Sequence, residues 1–431
     1  MLLIRRYFRS SYIVKSDGLW NLINLQMKLE PGTLPPNVRR GLYKGFVLVG
    51  GHLSDTQQLN DYIEQIMKPV QHRFKNLFHE NFNRTYQEEC VRTEVVDVLE
   101  CFIGVAKGSL MTTAEILFNA LAPMLSEIPT FLNLYKNYQL IVQLILELFG
   151  QCAKCMLCYL NQLDSKRLYE CTLASIQVYA KCNVNRLSME VFSEETSFQD
   201  LVLVMELLTY ILSKDCLDLS LFNSNEEAAV TAADVSLFGL NFIMPLMTID
   251  LLKYPLLCAH YYRFIVLVDD IYPEKICSLP RDMIEKLLRS VELGLTQFGT
   301  DIVQASLDFL QGLATYIYRH GISNTDVLES LAPFLKLVLD LILSHQINSD
   351  LMSTASTCIY SLMCCYPDKY NLLVQNLIQT QSDHLIAERL TDAFSQLMKN
   401  VSLNCERQSK LKFRDNFDKF VANVQGFLLV K

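Results

Sequence analysis

The stretch TYQEECVRTEVVDVLECFIGVAK (residues 85–107) decides the fold class, because its apolar residues recur at helical spacing. Steps of three and four residues place them on one face of a helix. That apolar face consists of Tyr86, Cys90, Val91, Val95, Val98, Phe102 and Val105. The charged residues Glu89, Arg92 and Glu100 fall toward the opposite side, where solvent is expected. The pattern therefore predicts an amphipathic helix.

The same spacing recurs along almost the whole chain after Pro36, and it predicts about sixteen helices. Their predicted spans are 36–51, 55–83, 85–107, 112–127, 129–162, 164–182, 197–214, 231–249, 251–271, 281–298, 300–320, 323–346, 349–366, 368–380, 383–400 and 406–426. Taken in pairs, they form units of about fifty residues, slightly longer than the roughly 40–47 of HEAT and armadillo repeats. The sequence therefore predicts an all-α fold, an α-solenoid of about eight HEAT-like antiparallel helix pairs.

The composition favours the same fold class. The 431 residues are 51% hydrophobic and 19% charged, with only 15 glycines and 12 prolines. Gly and Pro together reach about half their usual share. Because sheet-rich folds need many tight turns, this deficit favours long helices joined by short loops. A chain with this many apolar residues can bury a large core. This composition excludes a disordered protein.

A weak internal repeat supports the pairing of helices. A proline flanked by apolar residues occurs in four helices that the pairing makes the second of a unit. These steps are Met67-Lys68-Pro69-Val70, Leu121-Ala122-Pro123-Met124, Ile243-Met244-Pro245-Leu246 and Leu331-Ala332-Pro333-Phe334. A proline inside a helix removes a hydrogen bond and bends the helix, at a cost of about 3 kcal/mol. Its recurrence indicates a repeated curvature, with unrelated prolines as the alternative.

No long linker rich in Ser, Gly or Pro divides the chain. Residues 36–431 are therefore predicted to form one continuous HEAT-repeat solenoid, with a polar loop inserted near 215–230. Residues 1–35 are predicted to be irregular, or a partial first repeat at a fragment start. The basic residues of the first fifteen positions weakly resemble a transit peptide, but a fragment start is favoured.

Charge and cysteine content exclude several classes of function. The net charge is −8, and no cluster of Lys and Arg beyond the first nine residues could serve a nucleic-acid groove. Fourteen cysteines without a recognisable secretory signal predict a reducing compartment. The longest uncharged stretch considered, Val235–Ile249, contains Pro245 and is shorter than the roughly 20 residues of a membrane span. The sequence predicts no nucleic-acid binding and no membrane insertion.

The strongest metal signal is Cys152-x-x-Cys155-x-x-Cys158, whose spacing is similar to part of an iron–sulfur motif. The fourth cysteine of such a motif is missing and no histidine lies nearby, so three small buried side chains are the favoured interpretation. The sequence also contains no phosphate loop, no G-x-S-x-G and no HExxH. We therefore predict no catalytic residue, no metal ligand, no cofactor and no enzyme.

One pair of residues is a candidate for partner binding. Asp269 and Asp270 are adjacent acids at the end of a predicted helix. Solvation of a helix end is the favoured interpretation. An acidic patch that attracts a basic partner protein is the alternative.

Four segments resemble a known family. They are QDLVLVMELLTYILSKD (199–215), AADVSLFGLNFIMPLMTIDLLKYPLLCAHYYRFI (232–265), IYPEKI (271–276) and FVANVQGFLLVK (420–431). They are similar to the C-terminal half of exportins, in the karyopherin-β family of nuclear transport receptors. The resemblance implies HEAT repeats, binding of protein cargo together with Ran-GTP, and shuttling between nucleus and cytoplasm.

The resemblance also implies particular partners. They include cargo such as the hypusine-bearing translation factor and Smad-type proteins, and the phenylalanine-glycine nucleoporins of the nuclear pore. Family members are longer than this chain, and their N-terminal repeats make the principal Ran contact. This chain is accordingly expected to be the C-terminal cargo-binding portion, with Ran-GTP bound mainly through missing N-terminal repeats. A HEAT-repeat scaffold without transport activity, and an enzyme that uses the Cys152 cluster, are the alternatives.

Overall fold

Every regular element that the structure describes is a helix. The computed structural model describes residues 10–28, 30–53, 55–77, 85–189, 198–215 and 230–425, and no strand occurs among them. The chain divides into two compact units, Met1–Phe242 and Ile243–Lys431. The all-α prediction is confirmed.

The helices of the first unit pack in two rows. They are α1 (Ser10–Val14), α2 (Asp17–Lys28), α3 (Pro36–Gly50), α4 (Thr56–Asn76), α5 (Glu89–Gly108), α6 (Ala114–Leu125), α7 (Ile128–Leu134), α8 (Gln139–Cys155), α9 (Gln162–Met189), α10 (Gln199–Asp215) and α11 (Ala232–Ile243), whose last residue begins the second unit. A 3₁₀ turn, Leu157–Tyr159, follows α8. In one row, α3 contacts α5, α5 contacts α8, and α8 contacts α10. In the other row, α4 contacts α6, and both α6 and α7 contact α9.

The second unit repeats this arrangement. Its helices are α12 (Ile249–Leu252), α13 (Pro255–Ile271), α14 (Pro273–Cys277), α15 (Arg281–Gln297), α16 (Thr300–His320), α17 (Thr325–Leu331), α18 (Pro333–Leu343), α19 (Met352–Cys365), α20 (Pro367–Gln379), α21 (His384–Leu397) and α22 (Arg407–Gln425). The 3₁₀ turns Met244–Leu246 and Ser349–Leu351 complete it. One row runs α13, α16, α19, α22, and α15, α17 and α18 pack along the other side.

Two rows of helices that contact mainly their neighbours are the defining feature of an α-solenoid. Each helix buries its apolar face against the next, so the core runs along the unit instead of collecting at one centre. The predicted α-solenoid class is thereby confirmed in each unit. The number of eight pairs stays a prediction, and so does the single continuous stack over 36–431.

Most predicted helix boundaries lie within a few residues of the observed ones. Helix α16 begins and ends at the predicted residues. It ends there because Gly321, at φ 58°, takes the left-handed conformation that ends a helix. The prediction of one helix over 129–162 is wrong, since α7 and α8 are separate. The turn between them keeps Tyr135 buried and stacked near Phe131, with ring centroids 6.2 Å apart. Apolar spacing therefore continues through the break and conceals it.

Only two of the four prolines lie inside a helix. Pro69 and Pro123 lie within α4 and α6, as predicted. Pro245 instead lies in the 3₁₀ turn after α11, and Pro333 is the first residue of α18. At a first helical position proline has no hydrogen bond to lose, so these two mark helix ends without the expected cost.

The two boundary segments of the domain prediction are only partly described. Of residues 1–35, the part from Ser10 to Lys28 forms the short helices α1 and α2. The predicted loop near 215–230 lies, apart from its two end residues, outside the described residues. Both parts of the domain prediction stay predictions.

Helices α3 and α5 approach closely enough to require glycine. A Cβ built on Gly108 would lie 2.8 Å from the Lys44 carbonyl oxygen, and one on Gly104 would overlap the Arg40 carbonyl oxygen. Both obstacles are backbone atoms, which cannot move aside as a flexible side chain can. The two glycines thus bring the backbones of α3 and α5 together.

We expect Gly104→Ala to lower the free energy of unfolding by about 1–3 kcal/mol, since the added methyl group forces α3 and α5 apart. Gly41→Ala is the matched control on α3, because nothing lies within 4 Å of its Cβ position. That control should gain up to about 1 kcal/mol from the better helix propensity of alanine. Urea unfolding followed by circular dichroism measures both, and equal effects would contradict the close contact.

Candidate functional site

A network of paired charges crosses the interior of the first unit. The Arg40 guanidinium of α3 donates to both Glu147 oxygens of α8, at 2.7 and 2.9 Å, and its Nε donates to Glu100 of α5. Lys107 of α5 also donates to Glu147 at 2.7 Å. One guanidinium therefore joins three successive helices of the row. Burial alone would raise the pKa of Glu147, but Lys107 and Arg40 outweigh it and hold that pKa below its usual value.

A second pair lies deeper in the same interior. Arg39 and Asp97 are 0% and 2% exposed, and the Arg39 Nη2 lies 2.8 Å from the Asp97 Oδ2. The same oxygen accepts a hydrogen bond from the Gly32 amide at 2.9 Å, and the Arg73 Nη2 lies 3.7 Å away. Because a buried carboxylate must be paired, Asp97 fixes the segment before α3 and two helices around itself.

This network corrects the sequence analysis at one residue. Glu100 was predicted to face solvent, but it is 5% exposed and lies inside the unit. From Val98 to Ala106 every residue of α5 is buried, so this half of the helix has no solvent-facing side. Glu100 can be buried because Arg40 of α3 is its charged partner. The periodicity of α5 alone cannot predict this partner, because it lies on another helix.

An open groove of about 700 Å³ lies beside the network. Residues 32–36, the first part of α5 and residues 137–141 line it, with Asp97 among them. Leu140 is 57% exposed, and the Arg92 guanidinium lies 4.8 Å from the centre of the Tyr138 ring. Partly apolar walls with a few fixed polar and charged groups are typical of a ligand-binding cleft. This groove could not be predicted from the sequence, because its walls come from segments more than a hundred residues apart.

The structure separates the two acids predicted as a partner-binding patch. On α13, Asp269 is buried and 2% exposed, whereas Asp270 faces solvent. The Asp269 carboxyl packs against Gly312 of α16, where a side chain would overlap it, and neither oxygen has a well-formed hydrogen bond among the described residues. Only Asp270, with half-buried Asp308 near it, is available to a partner.

The environment of Asp269 shifts its protonation strongly. Burial raises the pKa of Asp269 well above its usual value, the Asp270 charge raises it further, and the Leu313 amide opposes both. Burial also raises the pKa values of Asp270 and Asp308. This end of α13 therefore disfavours the charged form of its carboxyl groups, most strongly that of the buried Asp269.

The cysteine cluster is divided by the end of a helix. Cys152 is buried and Cys155 ends α8, while Cys158 lies exposed in the following 3₁₀ turn. Burial raises the pKa of the Cys152 thiol, which disfavours the thiolate that a metal needs. Within the described part of the chain, no three His, Cys, Asp or Glu residues are placed to hold a metal ion.

One described helix, Gln139–Tyr159 with its 3₁₀ end, is long and apolar enough to cross a membrane by length and composition. The structure buries 67% of its most apolar window inside the unit. Such burial is typical of the core helix of a helical-repeat protein.

Stacked rows of helices that contact mainly their neighbours define the class of helical-repeat proteins. The comparison with family models then gives the particular family. The model described as Exportin-4 matches residues 5–431, so the chain belongs to the exportin-4 family. The exportin resemblance noted in the sequence is thereby confirmed.

A curated relative agrees with this assignment. Exportin-4 of Dictyostelium discoideum is 24% identical over 439 aligned residues, which cover 97% of this chain and 36% of the relative. The chain thus spans about a third of the length of the curated relative that it matches.

We expect Asp269→Asn to raise the free energy of unfolding at about pH 7 relative to the unsubstituted protein. A carboxyl whose pKa is raised on folding loses stability as pH rises above its unfolded pKa of about 4, and asparagine has no such loss. The difference should therefore shrink as the pH falls toward 4, as measured by urea unfolding across this range.

Asp392→Asn, at an exposed position of α21, is the control and should show the same small effect at both ends of the pH range. An Asp269→Asn protein that is less stable than the unsubstituted one at pH 7 would contradict the expected protonation.

Proposed function

We propose that this chain is the C-terminal, cargo-binding portion of a karyopherin-type nuclear export receptor. Such a receptor binds protein cargo together with Ran-GTP and carries it through the nuclear pore. The observation that carries the proposal is the exportin-4 family match over residues 5–431. No enzyme activity forms part of this function.

The packing of each unit supports a carrier of other proteins. Because its helices contact mainly their neighbours, an α-solenoid can flex and present a long surface to a partner. Joint binding of Ran-GTP and cargo requires a reciprocal coupling free energy, which in allosteric proteins is typically about 1–3 kcal/mol. The groove beside α5 supplies one surface of suitable size and chemistry.

The family also suggests which partners to test. Cargo such as the hypusine-bearing translation factor and Smad-type proteins, together with phenylalanine-glycine nucleoporins, belongs to this proposal. The net charge of −8 favours encounter with basic cargo surfaces. A receptor of this kind shuttles between nucleus and cytoplasm.

The alternative is a HEAT-repeat scaffold that holds a protein complex together without transport. A chimera distinguishes the two, in which this chain replaces the matching 36% of the Dictyostelium protein. Capture from nuclear extract should retain a set of proteins only when Ran-GTP is present. The Dictyostelium part without this chain is the control and should not retain them. Identical retention with and without Ran-GTP would contradict export and favour the scaffold.

We expect this chain alone to bind Ran-GTP with a dissociation constant weaker than about 1 μM, equivalent to about −8 kcal/mol. The physical reason is that the principal Ran contact of the family lies in N-terminal repeats. Titration with Ran bound to a non-hydrolysable GTP analogue measures the constant, and Ran-GDP is the control. Submicromolar binding would contradict the division of roles between N-terminal and C-terminal repeats.

A further inference from the structure

Two buried cysteines of the second unit lie in direct contact. Cys364 is near the end of α19, and Cys405 lies two residues before α22. They are 5% and 2% exposed, both are free thiols, and each lies close enough to the other to shift its pKa. Two sulfur atoms that are far apart in sequence are thereby already neighbours.

The loop that carries Cys405 is held firmly in place. The Tyr318 hydroxyl donates to the Leu403 carbonyl at 2.9 Å, and the Tyr360 hydroxyl donates to the Ser402 carbonyl at 2.6 Å. Cys405 itself has φ 53°, in the left-handed region that residues other than glycine rarely adopt. Hydrogen bonds from α16 and α19 thus hold the loop residues just before Cys405 against these two helices.

Cys405 also lines a small cavity of about 180 Å³, whose other walls are strongly basic. The cations around it are Arg319, Arg407, Lys410 and Arg414. None of the four is in an ion pair with a residue of the described ranges, and two of them, Arg407 and Lys410, belong to the first turn of α22, where the helix N-terminus adds partial positive charge. This arrangement favours a negative charge on Cys405, and the cavity admits only a small reagent.

The electrostatics assign different roles to the two thiols. The hydrogen bond from Cys364 and the charges of Lys410 and Arg319 lower the pKa of Cys405, against the effect of burial. The hydrogen bond to Cys405 and burial raise the pKa of Cys364. Cys405 therefore ionises first, while Cys364 keeps its proton.

We propose that Cys405 and Cys364 form an oxidisable dithiol, in which a hydroperoxide reaching the basic cavity converts the pair into a disulfide. The contact of the two sulfurs, the fixed loop and the ring of cations carry this inference. It is independent of any transport function.

The reaction balances with hydrogen peroxide as the oxidant. The Cys405 thiolate attacks one peroxide oxygen, the O–O bond breaks, and the departing hydroxide takes up a proton to become water. The Cys364 sulfur then attacks the resulting sulfenic acid, the S–O bond breaks, and a second water leaves with the Cys364 proton. Two thiols together lose two electrons, and peroxide gains them.

The test is treatment of the whole chain with a few equivalents of hydrogen peroxide. After free thiols are blocked, digestion without reductant and mass spectrometry identify the disulfides. The expected product is a Cys364–Cys405 link that dithiothreitol reverses. Exposed Cys90 and Cys158 are internal controls and should remain largely unmodified at this dose.

Variants separate the two roles. Cys364→Ser should leave Cys405 as a sulfenic acid that dimedone traps, because no second thiol can displace the oxygen. Lys410→Met should slow disulfide formation about threefold or more, since it removes a charge that stabilises the thiolate. Lys412→Met, on the same helix but outside the cavity lining, should leave the rate unchanged.

Far-UV circular dichroism establishes that each variant keeps its helical content. In folded protein, oxidation of Cys90 and Cys158 without a Cys364–Cys405 link would overturn the proposal. Equal rates for Lys410→Met and Lys412→Met would overturn the role of the cavity.

Discussion

The buried pairing of arginine with carboxylates is the constraint on which the first unit depends. Arg39 and Asp97 have almost no exposed surface, and removal of two charges from water costs several kcal/mol per ion, which their attraction at 2.8 Å must offset. The Arg39 nitrogens have no well-formed hydrogen bond among the described residues, so this guanidinium depends on the nearby Asp97 charge. Arg40 adds a partly exposed ion pair with Glu147, two helices further along the row. Because these pairs form in only one register, they select how α3, α5 and α8 stack, while apolar burial supplies most of the stability.

Close backbone approach and charge pairing act together at this contact. Gly104 and Gly108 let α3 lie against α5, and only at that distance can Arg40 reach Glu100. The glycine contacts and the ion pair both require the same register between α3 and α5. This contact between two neighbouring helices is the kind of local interaction that stabilises a repeat protein. The second unit uses neutral hydrogen bonds between its two rows, where the Tyr261 and Tyr262 hydroxyls of α13 are bonded to Ser290 of α15.

Helical class and most boundaries could be predicted because both are local properties of the chain. The 300–320 helix is an example, since its apolar spacing and Gly321 are adjacent in sequence. The break at Tyr135 could not be found, because a buried turn keeps the apolar pattern. Glu100 and Asp269 were misplaced for a different reason. Whether a charged residue of a helix faces solvent depends on which neighbour packs against it, and that information lies elsewhere in the sequence.

The functional surfaces were the least predictable part for the same reason. The groove beside α5 and the cavity at Cys405 each combine segments that are distant in sequence. For the cavity a partial signal existed, since Arg407, Lys410 and Arg414 recur at helical spacing and mark a basic face. Cys405 and Arg319 could be added only once the fold was known. Family membership, by contrast, rests on similarity along the chain and needs no such geometry.

A double-mutant cycle on Arg39 and Asp97 tests the central claim most directly. Urea unfolding of Arg39→Met, Asp97→Asn and the double variant gives three changes in the free energy of unfolding. If the buried pair determines the stacking, each single change should cost about 3–5 kcal/mol, and the double variant should cost less than their sum by about 2 kcal/mol or more. Changes that add to within about 0.5 kcal/mol would contradict the account, because the two charges would then act independently.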